Sequence, residues 1–267
     1  MNGALFRHTW HSQRIRLALV SFGLLVWGSL LPFIYATFGS RFKSLLESGL
    51  LPQQFARFGG GDVFTLSGSV ALSLIHPIPM ILTSVFAVGF SANAIAGERQ
   101  RGTLEVVLAR PLARRSLYFT LLISTFGFIA IAIAMVLAGN ILGSTLSGVL
   151  AELPLRRMPL VWLNGVLLFG SFAAIGLALS SSFDRAAPAI GWTLGIVVVM
   201  YVLEVLGSLW PDAEFLQPYS LFHYLKPRAV LTGGAQAFDF ALLATVIVVA
   251  MAWAIAVFPR RDLAAPI

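Results

Sequence analysis

Seven charged side chains fall within eighteen residues: Glu98, Arg99, Arg101, Glu105, Arg110, Arg114 and Arg115. They alternate with apolar positions, and no cysteine or histidine stands among them. Such a pattern suits recognition of another charged surface rather than bond-making. Gly102 can close a preceding helix in the left-handed conformation, and Thr103 can cap a new one. Leu104, Val107 and Leu108 then share one face by their i, i+3, i+4 spacing. Pro111 stops that helix after about two turns. Two readings stay open on spacing alone. One is a basic loop that merely fixes orientation in a membrane. The other is a docking element whose apolar face fills a groove on a partner.

Covalent chemistry finds little elsewhere. The only lysines are Lys43 and Lys226, and neither follows a glycine, so there is no G-x-x-x-x-G-K-[ST] phosphate loop. No H-E-x-x-H and no G-x-S-x-G occurs, and cysteine is absent. The four histidines, His8, His11, His76 and His223, are dispersed. The expectation is a chain that is not an enzyme and binds neither metal nor cofactor itself.

The remaining polar positions sit in apolar surroundings. Glu204 is an acidic residue near a membrane-length run, which makes it a functional candidate by default. Trp210, six positions on, marks an interface where its carboxylate could reach water. Asn93 joins Glu204 as a candidate for a translocation path, although Asn93, Asn140 and Asn164 equally suit hydrogen bonds between helices. Gly139-x-x-x-Gly143 and Gly191-x-x-x-Gly195 permit close helix approach, within the chain or between copies.

These residues need elements to hold them. Charged residues make up 11% of the 267 positions, apolar residues 58%, and mean hydropathy is +0.88. Soluble domains carry about 25% and 45–50%, so a water-soluble single domain is excluded. Six stretches of 18 or more residues lack any Asp, Glu, Lys or Arg: Leu17–Ser40, Val63–Gly97, Ser116–Ala151, Met158–Phe183, Ala186–Leu203 and Phe240–Pro259. A helix needs roughly 20 apolar residues to cross a ~30 Å hydrocarbon core. The spans expected are 17–38, 75–96, 117–139, 160–182, 187–208 and 239–259, in a single transmembrane domain over 1–267 without a nucleotide-binding domain. His76-Pro77 should start the second span, leaving 63–74 external or re-entrant. The Gly139–Ser144 region should mark the outer end of the third. The fold class is all-α integral membrane protein. Residues 1–16 add a short interfacial helix with Phe6, Trp10, Gln13 and Leu17 on one face, or else a basic tail.

With the N-terminus inside, the inner segments hold eleven arginines in 44 residues, and the outer ones seven Lys or Arg in 64. The positive-inside rule then puts both termini in the cytoplasm. The net charge of +7 points to the lipid bilayer as anionic partner, and not to nucleic acid.

The run Gly97-Glu98-Arg99-Gln100-Arg101-Gly102-Thr103-Leu104-Glu105, with Leu108, Arg110-Pro111-Leu112 and Arg114-Arg115, resembles the signature of ABC type 2 exporter permeases. That signature reads roughly G-E-x-E-x-G-T-L-E-x-L-L-x-x-P. Ser220-Leu221-Phe222-His223-Tyr224 with Pro227 resembles the family's S-P-[FL]-H-Y stretch, and Ser182-Phe183-Asp184-Arg185-Ala186-Ala187 its short inner turn. Arg99 and Arg101 stand where relatives often have acidic or neutral residues. Tyr118-Phe119-Thr120 replaces a common Gly-Lys pair.

The resemblance implies the membrane half of an ATP-driven exporter in the cell membrane. It would work with two copies of a cytosolic ABC ATPase subunit and a second permease, the same or paralogous. ATP and Mg would sit on the ATPase. Residues 98–110 would form the coupling helix. Glu98 and Glu105 would meet basic ATPase residues, Arg99, Arg101, Thr103 and Arg110 would complete the contact, and Leu104, Val107 and Leu108 would be its buried part. Span five near a two-fold axis would place Gly191 and Gly195 at the dimer interface. Low polarity along the path favours an amphiphilic, lipid-like or drug-like cargo over a small ion. An ATPase-independent transporter or channel, a membrane enzyme and an assembly factor remain the rivals.

Overall fold

The computed structural model describes residues 3–48, 65–104 and 113–261, and all regular structure among them is helical. This follows from the composition. In hydrocarbon every backbone N–H and C=O must pair within the chain, and a helix pairs them locally. Helix α1 (Gly3–Glu47) runs unbroken through Pro32. The basic N-terminal stretch is therefore helical, as expected, but continuous with the first apolar run and not a separate segment.

Helices α2 (Leu66–Ile75) and α3 (Pro77–Ser84) meet at His76-Pro77, and the pair is bent by 41°. Proline removes a ladder hydrogen bond there, and His76 Nδ1 accepts from Ile78 N at 3.3 Å to cap the new start. Of the segment 63–74, expected to be external or re-entrant, residues 66–74 bury Leu66, Val70 and Leu74 in the bundle's core. That argues against an external segment and leaves a re-entrant or broken span. The backbone then widens into a π-helical turn at Val85–Phe90, runs through Ser91–Asn93, breaks, and resumes as α4 (Ala96–Gln100).

Helix α5 (Arg114–Leu146) extends past the glycines expected to end it. Those glycines serve packing. A Cβ on Gly139 or Gly143 would strike the carbonyls of Leu25 or Ser29, and one on Gly28 would strike that of Val136. The two backbones thus touch, with α1 and α5 parallel. Helix α6 (Met158–Ser182) is the central element, most of it buried. It lies against α5, α7 (Ala186–Leu209) and α9 (Ala237–Val257). Trp162 donates to Ala130 O at 2.8 Å, and Ser171 to Leu243 O at 3.0 Å, fixing α6 to α5 and α9. By contrast α7 and α9 leave most of their apolar side chains exposed or only partly buried.

Between α7 and α9 the chain forms a cap of 3-10 turns, Pro211–Tyr219 and Leu221–Tyr224, followed by α8 (Pro227–Thr232). Five long helices, or six spans if the bent pair counts as one, have the length and hydropathy to cross a membrane.

Candidate functional site

The charged segment starts where the second apolar run ends. The break at Ala94-Ile95 leaves backbone amides without helical acceptors, and an orphaned buried donor is costly. Ser180 of α6 accepts both Ile95 N and Ala96 N, at 3.0 and 2.9 Å, in a buried setting. That serine was not singled out in the sequence. Its only signal is the polar triplet Ser180-Ser181-Ser182 in an apolar helix.

Gly102 ends α4 in the left-handed region (φ +70°), with its N–H on Arg99 O at 3.0 Å. The turn folds Thr103 back on Glu98: its hydroxyl donates to the Glu98 carbonyl at 3.1 Å and to the Glu98 carboxylate. Arg101 also pairs with that carboxylate. Glu98, Arg101 and Thr103 thus form one exposed polar knuckle. Glu105, Val107, Leu108 and Arg110 lie outside the described residues.

Two neighbours of the knuckle point inward. Leu104 is 2% exposed and packs with Ile95, Leu117, Tyr118 and Leu177 in the bundle's own core. It was expected on a docking face, but the tight turn at Gly102 swings it under the segment. Arg99 is likewise buried, and its Nη1 pairs with Asp184 at 2.9 Å. Asp184 also takes Arg261 at 2.5 Å, and Arg261 donates to Ser182 O. Gln100 Oε1 accepts Ala186 N at 3.0 Å, filling an open donor at the start of α7. Arg114 donates to Pro259 O and Arg261 O, both at 2.9 Å. One carboxylate in the α6–α7 turn therefore ties α4 to the end of α9. In the sequence Asp184 stands out only as part of the short turn at 182–187.

The other candidates are not brought together with this cluster. The side chain of Asn93 lies over Gly97, one turn on. Glu204 sits at the far end of α7 beneath the cap, where its Oε1 accepts from Gln217 at 3.3 Å and His223 is 3.9 Å away. Asn140 donates to Ser73 Oγ at 2.8 Å and joins α5 to α2. Asn164 clamps the cap to α6, donating to Tyr224 O at 2.9 Å and accepting Lys226 N at 3.0 Å. Ser220 donates to Met200 O at 2.7 Å and caps Phe222 N at 3.1 Å. Lys226 pairs with the buried Asp239 at 3.0 Å. In the cap, burial and the Lys226 charge hold the His223 ring below the usual histidine pKa. A Cβ on Gly191 or Gly195 would meet nothing, so that stretch of α7 is open.

Among the described residues no group of His, Cys, Asp and Glu could hold a metal ion. Among the described residues the arrangement is one of ion pairs and hydrogen bonds that tie α4 to α6, to the start of α7 and to the end of α9. The search of curated proteins returns no match. The family described as ABC-2 family transporter protein matches residues 7–263. Nearly the whole chain is covered, and this multi-pass membrane protein belongs to the ABC-2 transporter family.

Proposed function

We propose that the chain is the permease subunit of an ATP-driven exporter in the cytoplasmic membrane, with both termini in the cytoplasm. It pairs with a second permease, identical or paralogous, and with two copies of a separate ABC ATPase that carry ATP and Mg. Residues 98–110 receive the ATPase. The observation that carries this reading is the knuckle of Glu98, Arg101 and Thr103, exposed on the basic segment of a chain whose family is established. Its charges are satisfied locally yet accessible, so a partner can meet them at little desolvation cost. Leu104 acts as the segment's anchor to the bundle, and Arg99 as its tie to Asp184. Motion imposed on the knuckle would reach α6, α7 and α9 through that tie, and α5 through Arg114.

The test is co-purification. An ABC ATPase should accompany the wild-type permease and change its turnover rate on assembly. Glu98→Arg should lose the ATPase while the permease remains inserted. Wild-type association by that variant would overturn the role of the knuckle, and absence of any ATPase partner would overturn the whole reading. Leu104→Asp is a poor probe of docking, because it buries a charge in the core.

A further inference from the structure

The first turns of α1 pose a problem that the coupling reading does not solve. Thr9 is buried, and the Trp10 ring lies 4.8 Å from that of Phe128 and against Gly127. Phe128 stands fourteen residues beyond Arg114 at the start of α5, about 21 Å along that helix at 1.5 Å per residue. Phe86 and Phe90 pack on the same ring from the broken second run. Because α1 and α5 are parallel, Arg14 lies about one turn farther along than Trp10. The basic stretch of α1 therefore runs beside the apolar wall of α5, and not beyond its end.

Around the rest of the helix Arg7, His8, His11, Arg14 and Arg16 are exposed. None of them forms an ion pair with a described residue, and the bond recorded for Arg16 is to Gln13 at 3.5 Å. Arginines against hydrocarbon are costly, and in membrane proteins they pair or face water. Steps of four and three lead from Arg7 and His11, which Arg14 flanks, to Ile15, Leu19 and Phe22, all about two-thirds exposed (66%, 68% and 67%). One uninterrupted stripe is thus cationic at its start and apolar beyond. That is the order of charge and chain in an anionic amphiphile.

We propose that this stripe binds an anionic membrane amphiphile, with its headgroup on Arg7, His11 and Arg14 and its tail along Ile15, Leu19 and Phe22. Charge complementarity selects the headgroup, and the exposed apolar run selects a lipid-like tail over a soluble anion. The site stands independently of the ATPase reading.

The test uses purified full-length protein in detergent with equimolar phosphatidylglycerol and phosphatidylcholine, and retained lipid is read by native mass spectrometry. Wild type should retain phosphatidylglycerol about tenfold over phosphatidylcholine. The double variant Arg7→Gln/Arg14→Gln should bring the ratio near unity. Arg7→Lys/Arg14→Lys, which keeps the charges, and Arg185→Gln, a distant exposed arginine, should both preserve it. No preference in wild type, or an unchanged preference in the glutamine variant, overturns the proposal. The chain has no cysteine, so His11→Cys adds a second check. A disulfide between two copies on oxidation would assign the face to a second copy, and would also overturn it.

Discussion

Asp184 answers two guanidinium groups, those of Arg99 and Arg261, from a turn between two helices. Removing its charge leaves Arg99 buried and uncompensated. A fully buried pair broken this way costs ~3–5 kcal/mol, but the Asp184 side chain is 45% exposed. Asp184→Asn should therefore lower stability by about 1–2 kcal/mol, read by thermal unfolding of the purified protein. It should also uncouple an assembled ATPase from the permease without releasing it, and Asp184→Glu should restore both. A second residue-level expectation concerns acid. The His223 pKa lies below its unfolded value, first through burial and then through Lys226, with Asp239 and Glu214 opposing. The folded state therefore prefers the neutral ring, and the unfolded state binds more protons below about pH 6.5. The stability this contributes is fully present above that pH and is lost as pH falls through the folded value. Thermal unfolding between pH 8 and 5 should show the loss, and His223→Gln should flatten it. An unchanged acid limb in that variant would rule out His223 as the source.

At the scale of elements, the contact between α1 and α5 rests on missing side chains. Gly28, Gly139 and Gly143 let carbonyls of one helix approach the other's backbone, which gains dispersion contacts in lipid where no hydrophobic drive exists. Gly139→Leu must force the helices apart and should cost about 1–3 kcal/mol or more, as overpacking does. Loss of folded protein in a thermal series, against an unaffected Gly191→Leu, is the measurement. The cap behaves differently, because its hold on α6 is polar. Asn164 satisfies one acceptor and one donor of the cap backbone at once. Asn164→Leu should leave both buried groups unpaired, at about 1–3 kcal/mol each. Increased proteolysis at 211–232 would report a released cap with the bundle still intact.

At the scale of the molecule, α7 and α9 pack on α6 along one side and, among the described residues, leave most of their remaining surface uncovered. On α7, Gly191 and Gly195 face open space beside exposed Trp192, Leu194 and Val198. If this surface meets the second permease, Gly195→Cys in the cysteine-free chain should give a cross-linked dimer in membranes. Failure of cysteines along that whole face to cross-link would move the interface elsewhere. How much of this was legible beforehand differs by residue. The charge-free runs already demanded membrane helices, because hydrocarbon tolerates few ionised side chains and no unpaired backbone. The run from Gly97 to Arg115 already carried the family likeness. Other assignments stayed divided because local signals are ambiguous. Gly139 and Gly143 read both as the outer end of a span and as a close-packing pair, of which the structure shows the packing, and residues 63–74 read as external or re-entrant, since a glycine or a proline looks alike at a terminus and at a packing contact. Leu104 read as an outward contact because periodicity gives a face but not what covers it. Sequence alone determined the membrane class, the helical content and the place of the basic segment, all of which depend on composition along the chain. Only the tertiary structure decided that Asp184 gathers Arg99 and Arg261, that Ser180 closes a broken helix, and that the basic start of α1 lies beside α5. Those facts join residues 77 or more positions apart in all three cases, and no local pattern encodes which distant side chains will meet.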